Sequence, residues 1–206
     1  MKTSGASFVA KFLFLQQRRE AQSDKGRMSA RDQSATNSPR RIVLTGFMGS
    51  GKSTVGPLLA EHLGWHFVDV DDVIESEAGC TITELFSCQG EARFRDIEHA
   101  TIARLVSSGS LVLALGGGAI ERAETRDLLL KSPGTLLVHL EVRLETTLAR
   151  CAGTEHTRPI LADSANLLSR YQRRLPLYRT AHISIIVDSL TPREVVQAIV
   201  ESAKSS

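Results

Sequence analysis

The chain is poor in the patterns that mark many specialised proteins. Its 206 residues contain three cysteines, Cys80, Cys88 and Cys151. The number is odd and no pair has Cys-x-x-Cys spacing, which argues against a disulfide framework and against structural zinc. Ordinary buried thiols in a reducing compartment are the expectation. The six histidines are scattered without a His-Glu-x-x-His pair, and His62 and His66 flank a helix end instead of sharing a helical face. No apolar run approaches the roughly twenty residues that span a bilayer. The stretch Phe8–Leu15 is short, is interrupted by Lys11 and lacks a small-residue cleavage site. An Asn-Lys-x-Asp guanine-recognition segment is missing, which disfavours a GTPase switch. The net charge is only +2, and it is unevenly spread: residues 1–41 carry nine Lys or Arg against Glu20, Asp24 and Asp32. The remainder is therefore net acidic, which argues against a nucleic-acid-binding core.

With 42% hydrophobic and 23% charged residues, the composition is that of an ordinary globular domain. The expected organisation is a tail, residues 1–40, and one domain, residues 41–206. Gln16 to Arg41 is rich in Ser, Arg, Gln, Asp and Asn with little apolar periodicity, so the tail is expected to lack a fixed structure. Two further readings of it stay open: an Arg-rich organelle transit peptide, or an upstream extension of a protein that starts at Met28. The expected location is cytoplasmic, or an organelle if the leader is a transit peptide.

The most informative stretch is Gly46-Phe47-Met48-Gly49-Ser50-Gly51-Lys52-Ser53, which fits the phosphate-loop pattern G-x-x-x-x-G-K-[ST]. The β-branched run Arg41–Thr45 precedes it, and Thr54–Leu63 follows as a helix with an apolar face, the setting that the motif requires. Glycines let successive N–H groups turn toward phosphate oxygens, and the helix N-terminus adds partial positive charge. ATP is the expected nucleotide, with Gly49, Ser50, Gly51, Lys52, Ser53 and Thr54 around its phosphates. Lys52 is expected at the β- and γ-phosphates and Ser53 on Mg2+.

Strand-like runs recur at His66–Val68, Leu111–Leu115, Thr135–Leu140 and Ile183–Val187, separated by helix-period segments. This alternation predicts an α/β fold, a three-layer α/β/α sandwich around a five-stranded parallel sheet. Thr191-Pro192-Arg193-Glu194 predicts a capping box opening a last helix to about Ser202, and Thr81-Ile82-Thr83-Glu84 predicts another. Pro57 falls inside the helix after the phosphate loop, so a local distortion is expected there.

In such sheets ligands bind beyond the carboxyl ends of the strands. Four places there carry polar chemistry. Asp69 and Asp71 follow the second strand and face one side if the backbone stays extended; one carboxylate suits magnesium through water and the other a substrate hydroxyl. Helix capping is the competing reading for both. Gly116, Gly117 and Gly118 follow the third strand and permit close approach of a ligand. Arg95 and Arg174 suit fork-like pairing with a carboxylate on a small acid. Gly153–Pro159 is polar and loop-like, as expected of a mobile lid, about residues 152–162, that brings Arg158 onto transferring phosphate.

Taken together, the loop from Gly46, Asp69-Val70-Asp71, Gly90-Glu91 with Phe94-Arg95, Gly116–Gly118, Arg158-Pro159 and Arg174–Tyr178 resemble shikimate kinase in order and spacing. The resemblance runs from about Arg41 to the last helix. It implies a P-loop, nucleoside-monophosphate-kinase-like fold with a lid and substrate-binding helices, and transfer of the ATP γ-phosphoryl to the 3-hydroxyl of shikimate in aromatic amino-acid biosynthesis. By the same resemblance Asp71 meets the ring hydroxyls, Arg95 and Arg174 the carboxylate, and Gly117 a hydroxyl through its backbone. Asp69 stands behind the metal, Arg158 is the lid arginine and Arg150 lies along the adenine. The catalytic set implied is Lys52, Asp71 and Arg158, in a monomer without nucleic-acid or membrane partners. The sequence departs from the family in Pro57 and in a shortened turn, Asp188–Thr191, after the last strand. Two alternatives are another small-molecule P-loop kinase, such as a gluconate kinase, and a non-catalytic kinase-like module.

Overall fold

A computed structural model describes residues 39–152 and 164–204, with the side chains of 164 and 165 left out. The expected lid, with Arg158 and Pro159, and the tail to residue 38 lie outside the described residues. Strands β1 (Arg41–Thr45), β2 (His66–Asp69), β3 (Leu111–Ala114), β4 (Thr135–Glu141) and β5 (Ile183–Ile186) form one parallel sheet in the order β2-β3-β1-β4-β5. Their near-continuous apolar runs are what a parallel sheet covered on both faces demands. β1 and β3 are buried throughout, and β4 up to its last residue.

The helices are α1 (Lys52–Leu63), α2 (Val70–Ala78), α3 (Ile82–Val106), α4 (Ala123–Lys131), α5 (Leu144–Cys151), α6 (Ser164–Tyr178) and α7 (Pro192–Lys204), with a 3-10 turn at Ala119–Glu121. α1 and α7 pack on one another and on the sheet, while α3 packs on α2 and α4, and α4 lies on β4. Leu59, Ile42, Leu113 and Ile199 are among the fully enclosed core side chains between these layers. Arg41 holds the opposite end of the sheet closed: it donates to Thr135 Oγ1 at 2.8 Å and to the carbonyls of Ser108 and Pro133, both at 2.6 Å.

Both predicted capping boxes form. Thr81 N–H donates to Glu84 Oε2 at 2.7 Å and Glu84 N–H to Thr81 Oγ1 at 3.2 Å. Thr191 and Glu194 repeat the exchange at 2.7 and 3.4 Å. Two expectations are corrected. α1 runs unbroken through Pro57. Pro57 faces solvent, and the carbonyl that its missing N–H leaves free is that of Ser53, in an exposed first turn that water reaches. The backbone also does not stay extended from Asp69 to Asp71. Asp69 is the N-cap of α2, its Oδ1 accepting the Asp71 N–H at 3.1 Å, and Asp71 already lies in the first helical turn. A helical turn, not strand alternation, brings the two carboxylates to one place.

Candidate active site

β1 leads into the phosphate loop at the carboxyl edge of the sheet, with β3 and β4 as its neighbours on either side. A cleft of about 1070 Å³ opens there. Gly46 at φ 148° and Gly49 at φ 72° adopt backbone conformations that a side chain rarely tolerates. A Cβ on Gly46 would lie 2.6 Å from the Leu140 carbonyl, so β4 leaves room only for glycine. Gly51 caps α1 with no side-chain hydrogen bond, which leaves the N-terminus of that helix open toward the cleft. Lys52 Nζ donates to the carbonyls of Gly46 at 2.8 Å and Phe47 at 3.1 Å. α5 clamps the loop from the other side: Thr147 Oγ1 donates to the Met48 carbonyl and Arg150 Nη1 to that of Gly49. Arg150 also donates to the Val187 and Asp188 carbonyls, pinning the short turn after β5.

The Ser53 hydroxyl stands 3.5 Å from Asp69 Oδ2. Asp69 thus caps α2 with one oxygen and faces the first turn of α1 with the other. Two residues on, burial lifts the Asp71 carboxyl to about 7; the nearby charges of Asp69 and Glu98 add to the rise and Lys52 opposes it.

Across the triple glycine, two arginines are held by carboxylates. Arg95 Nη1 donates to Glu98 Oε2 at 2.7 Å and Nη2 to Glu91 at 3.2 Å, with the guanidinium 5.2 Å from the Phe94 ring centre. Arg174, 7% exposed, pairs with Glu121 at 2.8 Å, and Glu121 also holds Arg173 at 2.7 Å. The Tyr178 hydroxyl donates to the Gly117 carbonyl, and its ring stacks on His139 at 5.1 Å. The three glycines lie directly under these groups. A Cβ on Gly116 would come within 2.7 Å of Asp71 Oδ1 and 3.1 Å of Glu98 Oε1, and one on Gly118 within 2.2 Å of Arg95 Nη2.

Among the described residues, Asp71 Oδ1, Glu98 Oε1 and Arg174 Nε are all buried without a hydrogen-bond partner. Buried polar atoms are normally satisfied; three orphans around one glycine turn, two acceptors and one cationic donor, describe a receptor for a small molecule with hydroxyls and a negative charge.

The fold thus brings together the phosphate loop, Asp69, Asp71, Arg95, Gly116–Gly118, Arg150 and Arg174 around one cleft. Sequence reasoning missed Glu98 and Glu121. Glu98 left a signal, since it occupies the buried stripe Phe94, Glu98, Thr101, Ile102, Leu105 of α3, where a lone carboxylate needs a partner. Glu121 left none, because its placement depends on how the 3-10 turn meets α6.

The family model described as Shikimate kinase matches residues 48–204. The shikimate kinase of Moorella thermoacetica is 40% identical over 169 residues, 81% of this chain and 96% of that protein. That of Persephonella marina is 41% identical over 161 residues, 78% of this chain and 96% of its own length. The chain belongs to the shikimate kinase family. Among solved structures, a shikimate kinase from Acinetobacter baumannii in complex with shikimate superposes with a TM-score of 0.75 at 37% identity, covering 82% of this chain and 95% of that one. The Bacteroides thetaiotaomicron shikimate kinase gives 0.73 at 29% identity, over 80% of this chain and 98% of its own. The fold is therefore the P-loop kinase fold of this family, and ATP is the phosphoryl donor that goes with it. In this shikimate kinase relative, no helix among the described residues is long and apolar enough to cross a membrane.

Proposed function

We propose that this protein transfers the γ-phosphoryl of ATP to the 3-hydroxyl of shikimate, giving shikimate 3-phosphate and ADP in aromatic amino-acid biosynthesis. The observation that carries the reading is the set of three orphaned polar atoms beside the phosphate loop: they match a ring bearing hydroxyls and a carboxylate, set within reach of a transferable phosphoryl group. Gly49 to Thr54 hold the phosphates, with Lys52 turning from the loop carbonyls to the β- and γ-phosphate oxygens. Arg150 lies along the adenine beside Leu190 and Pro192.

The residues present fit Mg2+. Ser53 Oγ and Asp69 Oδ2 offer two oxygens close together, and no group of three or more His, Cys, Asp or Glu among the described residues competes for the ion. A site with few protein ligands suits magnesium, which keeps several waters and takes phosphate oxygens. Bound there, the ion supplies charge neutralisation at the phosphates.

Asp71 accepts a hydrogen bond from the acceptor hydroxyl and orients it, or takes its proton; a carboxyl near neutrality is suited to either. Arg95 and Arg174 clamp the carboxylate, already aligned by Glu98 and Glu121. Gly116–Gly118 let the ring approach the backbone. Arg158, the expected lid arginine, completes the charge stabilisation in this reading, which makes Lys52, Asp71 and Arg158 its catalytic set. A cytoplasmic monomer belongs to the same proposal. Among the described residues the cysteines at 80, 88 and 151 form no disulfide, and one chain carries every residue named.

The test is coupled ADP release by the full chain with Mg-ATP and shikimate, gluconate or no acceptor. Turnover with shikimate alone is expected. Turnover with gluconate would shift the acceptor class, and ATP binding without turnover on any acceptor would favour a non-catalytic module.

A further inference from the structure

The reaction just proposed leaves two cations of the cleft without a role, Arg170 and Arg173, and Arg173 is already paired with Glu121. Arg170, on α6, is half-buried and lines the cleft. Among the described residues it takes part in no hydrogen bond or ion pair, whereas Arg173 and Arg174, one helical turn on, share Glu121. A guanidinium drawn partly out of water without a counter-ion has lost hydration and gained no Coulomb attraction in return. An arriving anion relieves that imbalance.

The course of α6 indicates which anion. At its C-terminal end Tyr178 reaches the Gly117 carbonyl, and Arg174 Nη1 lies 3.6 Å from where a Cβ on Gly117 would stand. Two turns earlier the Tyr171 ring meets Phe47 of the phosphate loop edge-on, with centroids 5.3 Å apart, and its hydroxyl donates to the Val142 carbonyl. Along this stretch the helix passes from the triple glycine to the phosphate loop. Arg170 adjoins Tyr171, about 6 Å along the axis from Arg174. It is therefore level with the phosphates, while the carboxylate position already has two guanidiniums.

We propose that Arg170 binds the transferred phosphoryl group once it is on the acceptor, so that it is a ligand of the phosphorylated product. The inference rests on the proposed phosphorylation of shikimate. Arg170 acts through its charge and its planar donor fork on phosphate oxygens that unreacted shikimate does not have.

The experiment is calorimetric titration of full-length wild type, R170Q and R170K with shikimate and with shikimate 3-phosphate. R170Q is expected to weaken shikimate 3-phosphate by roughly ten- to a hundredfold, the effect of one lost charge-assisted hydrogen bond. Shikimate affinity stays unchanged, which also reports that the variant is folded, and R170K recovers part of the loss. Equal losses on both ligands would move Arg170 to the carboxylate and overturn the proposal; no loss on either would make it a solvated side chain and overturn it as well. Wild type that binds neither ligand contradicts the function itself and takes this inference with it, a result distinct from normal wild-type binding with an unaffected R170Q.

Discussion

Asp71 and His139 are two titratable groups that burial moves in opposite directions. The Asp71 carboxyl is raised to about 7, first by burial and then by Asp69 and Glu98. In the proposed role the ionised form accepts from the substrate hydroxyl, so kcat/KM is expected to fall about tenfold per unit as pH drops below about 7. Asp71→Asn should abolish most turnover and remove that limb; a pH profile of the residual activity that still bends near 7 would assign the limb elsewhere. Burial lowers the His139 imidazole to about 4, with Glu141 opposing and Arg179 and Lys52 assisting. Between about 6.5 and 4 the unfolded chain then binds a proton that the folded one refuses, so this group removes stability as pH falls through that window. The loss amounts to about 3 kcal/mol once pH is below both values. Denaturant melts of wild type and His139→Gln at pH 7.5 and pH 4.5 check it: the gap between the two should shift in favour of the variant at the lower pH. Gly118 is decided by space alone, because Arg95 lies where its Cβ would go and Glu98 holds Arg95 there. Gly118→Ala should raise KM for shikimate by about tenfold, the order of one disturbed charged contact, with melting temperature nearly unchanged in a parallel scan.

α3 shows how an element is shaped for a site. Gly90, at φ 77° and ψ 166°, interrupts its helical conformation between the capped first part and the part that carries Arg95 and Glu98. That backbone region is essentially reserved for glycine and costs other residues on the order of 1–3 kcal/mol. Gly90→Ala should therefore lower the melting temperature by several degrees, and because it re-aims Arg95 it should also raise KM for shikimate. Thermal scanning with initial-rate kinetics tests both, and a change in stability without one in KM would detach the kink from the site. The capping boxes and the strand runs were legible in the sequence because their causes lie within a few residues. Pro57 misled for the same reason: local rules see a missing donor, whereas the tolerance of α1 depends on the solvent exposure of that turn.

For the molecule as a whole, the cleft joins elements far apart in the chain, from Lys52 in α1 to Pro192 in α7, so a ligand that fills it ties the sheet, α3 and α6 together. At one hundred times its dissociation constant, shikimate is expected to add about 2.7 kcal/mol to the stability of the wild type. In a chain of 206 residues that should be read as a rise of roughly 5–10 °C in melting temperature. Arg95→Gln and Arg174→Gln should each lose most of the rise at the same shikimate concentration while keeping the shift caused by Mg-ATP. A variant that lost both shifts would have lost the fold and not the carboxylate clamp.

The order of strands and helices, the phosphate loop and its capping signals follow from the sequence, because periodicity, glycine placement and short-range hydrogen bonds are local properties of a chain. Asp71, Arg95 and Arg174 could be named there as polar residues near strand and helix ends. Their partners could not. Glu98 holds Arg95 from one turn away, but Glu121 reaches Arg174 across 53 positions, and Asp71 acquires its raised affinity for a proton only when Asp69, Glu98 and the packed backbone surround it. Charge pairing and desolvation act over a few ångströms in space without regard to sequence separation, so the chemistry of the site exists only once the sheet has brought these elements to one edge.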